Sequence, residues 1–256
     1  MSRRIDYDTV AADYGSRYER NDYPGVRQAL AAFVTQKAGE DPHRVLEVGC
    51  GTGHWLQFLH EAGISAVGLD PSRGMLDVAR ERRGVGRLIR AQAEAVPVQN
   101  GTCDRILCVN ALHHFTDPAA FFREARRVLR ARGGLLTVGL DPHTGQDRWW
   151  IYDYFPTAFD EDRRRYLPAG TIRDLMAASG FLHCETREVQ HVPVRMTVSE
   201  AARRGFLDRT STSQLMVISE AEYDAGIKRI HSANADAGGE MILRADLRLY
   251  GTIGCV

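Results

Sequence analysis

Along the first half of the chain, short runs of apolar residues alternate with segments in which apolar residues recur at helical spacing. The apolar runs predict five strands, at 43–48, 66–69, 87–91, 103–109 and 135–140. Helical segments separate these strands by short connections, which is typical of a parallel sheet with right-handed crossovers. We therefore expect an α/β fold, a Rossmann-like doubly wound sheet, from about residue 43 to residue 140.

Helix signals lie between and before these strands. The pattern predicts helices over 6–19, 24–38, 54–62, 72–83 and 118–131. Asp117-Pro118 is typical of a helix start, an N-cap followed by proline at the first helical position. We expect Gly133-Gly134 to end that helix, and Thr171 with Asp174 to form a capping box for a helix to about residue 179.

The second half of the chain has a different pattern. We expect a sixth strand at 181–189 and two helical pieces within 197–237, the second beginning at a capping box over Ser219–Glu222. Residues 243–249 alternate strictly between apolar and charged side chains, which predicts an antiparallel strand with one exposed face. The sheet should therefore have seven strands, the last of them antiparallel.

These elements suggest a division of the chain into three parts. We expect N-terminal helices as a cap over 1–40 and a Rossmann-like core built from 41–146, 171–196 and 239–256. The remaining lid segments, defined as residues 147–170 and 197–238, should form a helical insertion over the core.

Composition excludes some classes of protein. The 256 residues carry 33 Lys+Arg and 33 Asp+Glu, so there is no basic excess for binding nucleic acid. The arginine-rich stretches 80–90 and 123–132 are interpreted as solvated helix faces. Five cysteines without CxxC spacing indicate reduced thiols. The sequence has no apolar leader, and no apolar run approaches the roughly 18 residues of a membrane span. We therefore expect a cytoplasmic protein.

Val45–Gly53 carries the most specific chemistry in the chain. A buried strand runs into Gly49, Gly51 and Gly53 and then into a helix. Such a loop lets backbone approach a ligand closely, and the helix N-terminus offers N–H groups to an anionic group. Asp70 follows Gly49 by about 20 residues, the spacing expected of a carboxylate that binds ribose hydroxyls. The ligand should therefore contain a ribose and a carboxylate or phosphate.

The loop departs from the dinucleotide fingerprint G-x-G-x-x-G. His54 stands where the last glycine would be, and Glu47 lies inside the preceding strand. A carboxylate at Glu47 would repel a pyrophosphate, whereas it could help to hold an ammonium group. An NAD(P)-dependent oxidoreductase is therefore a rival that the loop disfavours.

Several segments together resemble class I S-adenosylmethionine-dependent methyltransferases. They are Val45–Gly53, Val67–Ser72 with Met75, Ala91–Pro97, Cys103–Phe115, and Arg127–Leu129 with Gly133-Gly134. The subgroup they are most similar to contains the small-molecule enzymes of ubiquinone and menaquinone biosynthesis. The resemblance implies strand order 3-2-1-4-5-7-6, S-adenosylmethionine as cofactor, and methyl transfer to a small organic acceptor. The oligomeric state stays open between monomer and homodimer. A protein that binds the same cofactor without methylating would show the same residues and is an open alternative.

The resemblance also implies which residues contact the cofactor. Glu47 and the glycines would line the methionine and ribose end, and Asp70 would bind the ribose. The full set is Tyr14, Tyr18, Glu47, Gly49, Cys50, Gly51, Asp70, Pro71, Met75, Gln92, Ala93, Glu94, Asn110 and Ala111. Gln92 departs from the family, which usually has Asp there; its carbonyl oxygen can accept from the adenine amino group, but without charge.

Methyl transfer rests mainly on proximity and alignment, and a base is needed only for an acceptor that arrives protonated. His114 is the first candidate base and His113 the second, with structural histidines at the strand–helix corner as the alternative. Asp141 is a single candidate metal ligand, so we expect metal-independent transfer. Acceptor-binding candidates are Asp141, His143, Trp149, Trp150, Tyr152 and Tyr154. The aromatic members could instead pack in the core.

Overall fold

A computed structural model describes residues 5–15, 22–35 and 44–256. Within these ranges the strands form one eight-stranded sheet in the order β3-β2-β1-β4-β5-β8-β6, with β7 also paired to β8. The strands are β1 Val45–Val48, β2 Ala66–Asp70, β3 Leu88–Arg90, β4 Cys103–Val109, β5 Leu129–Leu140, β6 Arg148–Trp149, β7 Leu182–Thr197 and β8 Ile242–Cys255.

The sheet confirms the predicted α/β fold. Strands β1 to β5 pair in parallel, and β8 runs antiparallel to both β5 and β7. The order of the seven predicted strands is also as expected. The two-residue strand β6, which pairs with β8 through Arg148 and Trp149, adds an eighth strand that the sequence pattern did not predict.

Helices cover both faces of the sheet. They are α1 Tyr7–Tyr14, α2 Pro24–Thr35, α3 His54–Glu61, α4 Arg73–Glu81, α5 Pro118–Val128, α6 Trp150–Tyr154, α7 Pro156–Arg165, α8 Ala169–Ala178, α9 Val198–Arg203, α10 Ser213–Val217 and α11 Glu220–Asp236. Short 3₁₀ turns lie at Leu112–His114, Pro142–Thr144 and Arg209–Ser211. No helix in the described part of the chain is long and apolar enough to cross a membrane.

Local side chains fix several helix starts as predicted. Asp117 accepts from the Ala120 N–H at 2.9 Å, and proline follows it. Ser219 and Glu222 form the predicted capping box of α11. Thr197 and Glu200 form a second capping box, which begins α9. These caps satisfy N–H groups that a helix leaves without partners at its first turn.

Three predicted boundaries were wrong, each because a distant part of the chain decides it. Helix α5 ends at Val128 instead of residue 131, since Leu129 already pairs with Cys103 in the sheet; Gly133-Gly134 therefore lies within β5. Helix α8 begins at Ala169, and its cap comes from Asp141, which accepts from the Ala169 N–H at 2.8 Å. Strand β7 continues to Thr197 because it pairs with β8 along its length.

The predicted N-terminal helices are described only in part. Helix α1 ends at Tyr14 and α2 ends at Thr35. The rest of the helix predicted over 6–19, from residue 16 on, and residues 36–38 of the next lie outside the described residues.

Two apolar layers enclose the sheet. On one face Val26, Leu30 and Phe33 of α2 pack with Leu59 of α3. On the other face Phe121 and Phe122 of α5 pack with Met176 of α8. Because helices cover both faces, ligand access remains at the carboxyl ends of the parallel strands.

The lid segments contribute most of a third apolar cluster. Trp150, Ile151 and Phe155 pack there with Ile230 of α11 and Leu243 of β8. This cluster lies next to the end of the sheet where β6 and β7 pair with β8. The division into cap, core and lid stays a prediction, and this shared core supports treating the lid segments as one packed unit.

Candidate functional site

The glycine loop after β1 turns tightly under the tip of β4. Gly49, Gly51 and Gly53 all have positive φ angles, of 76°, 50° and 76°. A Cβ at Gly49 would lie 2.3 Å from the Cβ of Ala111, so only glycine fits between the two loops. A Cβ at Gly51 would meet nothing within 4 Å, so this part of the loop borders open space.

Asp70, at the end of β2, is held by the backbone of that loop. Its Oδ2 accepts from the Gly51 N–H and its Oδ1 from the Ser72 N–H, both at 2.9 Å. Burial raises the pKa of Asp70, and the two backbone hydrogen bonds oppose that rise. Each carboxylate oxygen can accept a further hydrogen bond. The geometry therefore fits a carboxylate that receives a pair of hydroxyl groups from a ribose.

Glu47 lies in β1 beneath the loop and is completely buried. Neither of its carboxylate oxygens has a hydrogen-bond partner among the described residues. Burial raises the pKa of Glu47 well above its usual range, and the neighbouring charge of Asp70 raises it further. A buried carboxylate without partners is destabilising. A ligand with an ammonium group, such as S-adenosylmethionine, would supply the missing donors.

A cavity of about 770 Å³ opens at the tips of β1, β2 and β4. We call it the switch-point cavity, because the strand order reverses between β1 and β4. Its volume is that of a small-molecule site. The predicted site residues that line it are Gly49, Asp70, Pro71, Met75, Gln92, Ala93, Asn110, Ala111, His113 and His114.

Other predicted cofactor residues lie elsewhere. The Cys50 side chain is buried in a core cluster with Leu56 and Leu76. Glu94 accepts from the N–H groups of Thr116 and Asp117 and so fastens the start of α5.

The two predicted N-terminal tyrosines cannot be placed in the site. Tyr18 lies outside the described residues, and so does the side chain of Tyr14. Their roles therefore stay predictions.

Asn110, at the tip of β4, adopts a left-handed backbone conformation with φ 52°. Its N–H donates to the Val138 carbonyl at 2.7 Å, which holds the conformation in place. Such a conformation is unfavourable for residues other than glycine, although asparagine tolerates it better than most, and it concentrates at functional sites. Asn110 lines the switch-point cavity and also a second, smaller cavity.

Each histidine after Asn110 contacts a tyrosine. The Nε2 of His114 lies 2.8 Å from the Tyr7 hydroxyl on α1, and the Nε2 of His113 lies 3.1 Å from the Tyr166 hydroxyl. The rings of His113 and Tyr166 stack with centroids 4.0 Å apart. These contacts tie α1 and the segment after α7 to the same 3₁₀ turn. Sequence reasoning missed both tyrosines, because neither lies near the histidines in the chain.

Asp8 fixes α1 to the start of α4. Its Oδ1 accepts from the Ser72 hydroxyl at 2.5 Å and from the Gly74 N–H at 2.8 Å. These hydrogen bonds lower the pKa of Asp8, since they favour the charged form. Because Tyr7 and Asp8 both line the switch-point cavity, α1 covers one side of it.

A buried polar network lies behind the histidines. Asp162, which is fully buried, accepts from the Tyr152 hydroxyl at 2.7 Å, from Gln214 Nε2 at 2.9 Å and from Arg165 Nη2 at 2.5 Å. Gln214 Nε2 also reaches the Tyr166 hydroxyl at 3.3 Å. Burial raises the pKa of Asp162, and the contacts from Arg165, Tyr152 and Gln214 oppose that rise. The network joins α6, α7 and α10.

Four predicted acceptor-binding residues make contacts within the protein. Asp141 caps the turn at 142–144 and α8, accepting from the N–H groups of His143 and Ala169. His143 Nε2 lies 2.9 Å from the Tyr166 carbonyl oxygen. Tyr152 donates to Asp162, as described above, and Tyr154 donates to the Met241 sulfur at 3.2 Å.

Trp149 and Trp150 line the second cavity, of about 80 Å³, which we call the tryptophan cavity. Its wall is mainly apolar and includes Met196, Phe206 and Leu247. Because Asn110 belongs to its wall as well, the tryptophan cavity adjoins the switch-point cavity at the tip of β4.

The part of the chain that builds this site is similar to known proteins. Residues 46–137 match the family described as "Methyltransferase domain". An uncharacterized protein of Mycobacterium tuberculosis is 39% identical over 150 residues, which is 58% of this chain and 50% of the relative. Demethylmenaquinone methyltransferase of Thermotoga maritima is 30% identical over 118 residues, 45% of this chain and 52% of the relative. The chain thus spans about half the length of these curated relatives.

Solved structures share the fold across most of the chain. A putative methyltransferase from an antibiotic biosynthesis pathway of Anabaena variabilis superposes with a TM-score of 0.69 at 20% identity, covering 91% of this chain and 98% of that one. Phosphoethanolamine N-methyltransferase 2 of Haemonchus contortus, crystallised with S-adenosyl-L-methionine, superposes with a TM-score of 0.59 at 17% identity and covers 98% of this chain and 60% of that one. Residues 46–137 therefore match a methyltransferase domain, and the sheet order around them is the fold of these solved methyltransferase structures.

Proposed function

We propose that the protein transfers a methyl group from S-adenosylmethionine to a small organic acceptor without a metal ion. The observation that carries the proposal is the switch-point cavity, where Gly49, Asp70 and Asn110 meet at the point at which the strand order reverses. When bound, the cofactor would supply a methyl group on a sulfonium sulfur. This sulfur leaves readily, as a neutral thioether, when the methyl group is transferred. The residues of the chain then have to align the acceptor more than to activate it.

We match the cofactor's parts to residues along this cavity and to Glu47, which is buried beneath the glycine loop. In our proposal Asp70 accepts from the ribose hydroxyls, and Glu47 compensates the ammonium group from beneath the glycine loop. Gln92 and Ala93 border the adenine, and Met75, which is buried against α1, packs beside it. This assignment uses the one buried carboxylate of the described site whose oxygens both lack a partner.

His114 is our candidate general base for an acceptor that arrives protonated. It lines the cavity just beyond Asn110, and its Nε2 is paired with the Tyr7 hydroxyl at 2.8 Å. A tyrosine at that distance orients the imidazole ring and can exchange a proton with it. His113, which stacks on Tyr166, is better placed to position the turn than to accept the acceptor's proton.

Calorimetric titration separates the methyltransferase from its rivals. We expect S-adenosylhomocysteine to bind with micromolar affinity and NADH not to bind. The reverse result would establish an NAD(P)-linked protein in place of our proposal. A transfer assay with radiolabelled S-adenosylmethionine against a library of small acceptors then tests catalysis. Tight cofactor binding with no transfer to any acceptor would favour a cofactor-binding protein that does not methylate.

The base is tested with an acceptor found in that assay. We expect His114→Ala to lower turnover by about 10²-fold or more near neutral pH, the usual contribution of a general base. We also expect the variant to lose the rise of turnover with pH that titration of a histidine gives. Turnover that stays unchanged across the pH range would remove the base from the mechanism and leave alignment alone.

A further inference from the structure

Arg165 is a buried cation in the wall of the switch-point cavity. It is the last residue of α7, and its side chain is only 8% exposed. Its Nη2 donates to Asp162 at 2.5 Å. Its Nε and Nη1 are buried and have no hydrogen-bond partner among the described residues. Two of its three guanidinium nitrogens are therefore unsatisfied beside a ligand-sized space.

The position of Arg165 is not explained by the helix that carries it. A run of three arginines ends α7, where the helix dipole favours cations. Arg163 and Arg164 fit that explanation, since both are exposed and Arg164 pairs with Glu161. Arg165 instead turns inward to Asp162, which is fully buried. Desolvating such a pair is costly, and the cost rises when donors are left without acceptors.

We propose that Arg165 binds an anionic oxygen group, a carboxylate or a phosphate, on the methyl acceptor. Arginine suits this role because its planar guanidinium donates several hydrogen bonds to carboxylate and phosphate oxygens. An anion would satisfy the two nitrogens that the protein leaves unpaired. This inference rests on the proposed function, and it narrows the acceptor from any small organic molecule to an acidic one.

The surroundings of Arg165 place the anion on the acceptor side of the cavity. The guanidinium carbon lies 5.8 Å from the centre of the Tyr166 ring, and that ring stacks on His113 with centroids 4.0 Å apart. The residues that we assign to the cofactor's ammonium group, ribose and adenine instead lie in β1, at or beyond the end of β2, and after β3. The cofactor has a carboxylate of its own, so the experiment has to distinguish the two sources of negative charge.

The proposal is tested by titrating the protein with 4-fluorobenzoate and following its fluorine NMR signal. The uncharged 4-fluorobenzamide serves as the control. Both titrations are done with and without saturating S-adenosylhomocysteine. The same protein is titrated with inorganic phosphate, which separates a phosphate site from a carboxylate site. The test variant is Arg165→Met combined with Asp162→Asn, so that no buried carboxylate loses its partner. Arg163→Met is the matched control, because Arg163 lies on the same helix but is exposed and does not line the cavity.

We expect the wild type and Arg163→Met to bind 4-fluorobenzoate or phosphate at least about tenfold more tightly than 4-fluorobenzamide, the effect of one charge-assisted hydrogen bond. The double variant should lose that preference and keep its affinity for S-adenosylhomocysteine. Circular dichroism confirms that it is folded.

Three results would overturn the proposal. They are a wild type with no preference for either anion, a preference that survives in the double variant, and a loss of S-adenosylhomocysteine affinity with the anion preference intact. The last result would assign Arg165 to the cofactor's carboxylate. If S-adenosylhomocysteine does not bind the wild type, the proposed function fails, and the titration without it still decides whether Arg165 is an anion site.

Discussion

At the scale of single residues, the site is defined by polar groups that the protein itself does not satisfy. Glu47 has two carboxylate oxygens without partners, and Arg165 has two nitrogens without partners, among the described residues. One is an acid and the other a base, and they lie on different elements, β1 and α7. Since native proteins pair nearly all buried polar groups, such exceptions indicate where a ligand completes the structure.

Glu47 should make the stability of the ligand-free protein depend on pH. Burial raises the pKa of Glu47 in the folded state. Between the unfolded and the folded pKa, the folded chain therefore holds a proton on Glu47 that the unfolded chain has released. The contribution of this protonated carboxyl to the free energy of unfolding is therefore fully present below the unfolded pKa, about 4.5. It is lost as pH rises through the folded pKa. We expect Glu47→Gln to be more stable than the wild type at about pH 8, and the difference to shrink towards about pH 4.

Urea unfolding of both proteins across that range, followed by circular dichroism, measures the difference. Saturating S-adenosylhomocysteine, whose ammonium group would compensate the charge, should stabilise the wild type more than the variant. A difference between the two proteins that does not change with pH would contradict this account of Glu47.

At the scale of elements, the packing of α11 against the junction of α6 and α7 depends on a glycine. A Cβ at Gly226 in α11 would lie 2.1 Å from Phe155, whose side chain is almost completely buried. We expect Gly226→Ala to destabilise the protein by about 1–3 kcal/mol, the usual cost of overpacking, although alanine favours helix. Thermal unfolding of the variant, compared with the wild type, gives the change.

Gly170 provides the matched control for that prediction. It lies in α8, where an added Cβ would have 3.9 Å to its nearest neighbour, Arg173. We expect Gly170→Ala to be neutral or to stabilise by up to about 1 kcal/mol, because the unfolded chain loses freedom. If both substitutions have the same effect, the contact between Gly226 and Phe155 does not limit the packing of the lid segments.

Elements with local causes could be predicted from the sequence, and elements with distant causes could not. The capping box of α11 and the start of α5 depend on residues within one turn, so the pattern revealed them. The cap of α8 comes from Asp141, far away in the chain, so local reasoning placed it wrongly at Thr171. Arg165 was missed for the same reason. Three consecutive arginines look alike in a sequence, and only packing against Asp162 turns one of them inward.

At the scale of the whole molecule, the N-terminal helix α1 covers one side of the site. Helix α1 joins the core through Asp8 at the start of α4 and through Tyr7 at His114. Asp8 and Tyr7 also belong to the wall of the switch-point cavity. A ligand in that cavity would therefore contact both α1 and the sheet, which couples cofactor binding to the docking of α1.

Hydrogen exchange measures that coupling directly. We expect S-adenosylhomocysteine to slow amide exchange in α1 more than in α8, which contains none of the residues assigned to the cofactor and serves as an internal reference. If only the docked form binds, a ligand concentration of 100 times Kd stabilises it by about 2.7 kcal/mol, which slows exchange about a hundredfold. Asp8→Ala should raise exchange in α1 without ligand, because it removes both hydrogen bonds between Asp8 and the start of α4. Equal exchange in α1 with and without ligand would mean that α1 stays docked, or undocked, independently of the cofactor.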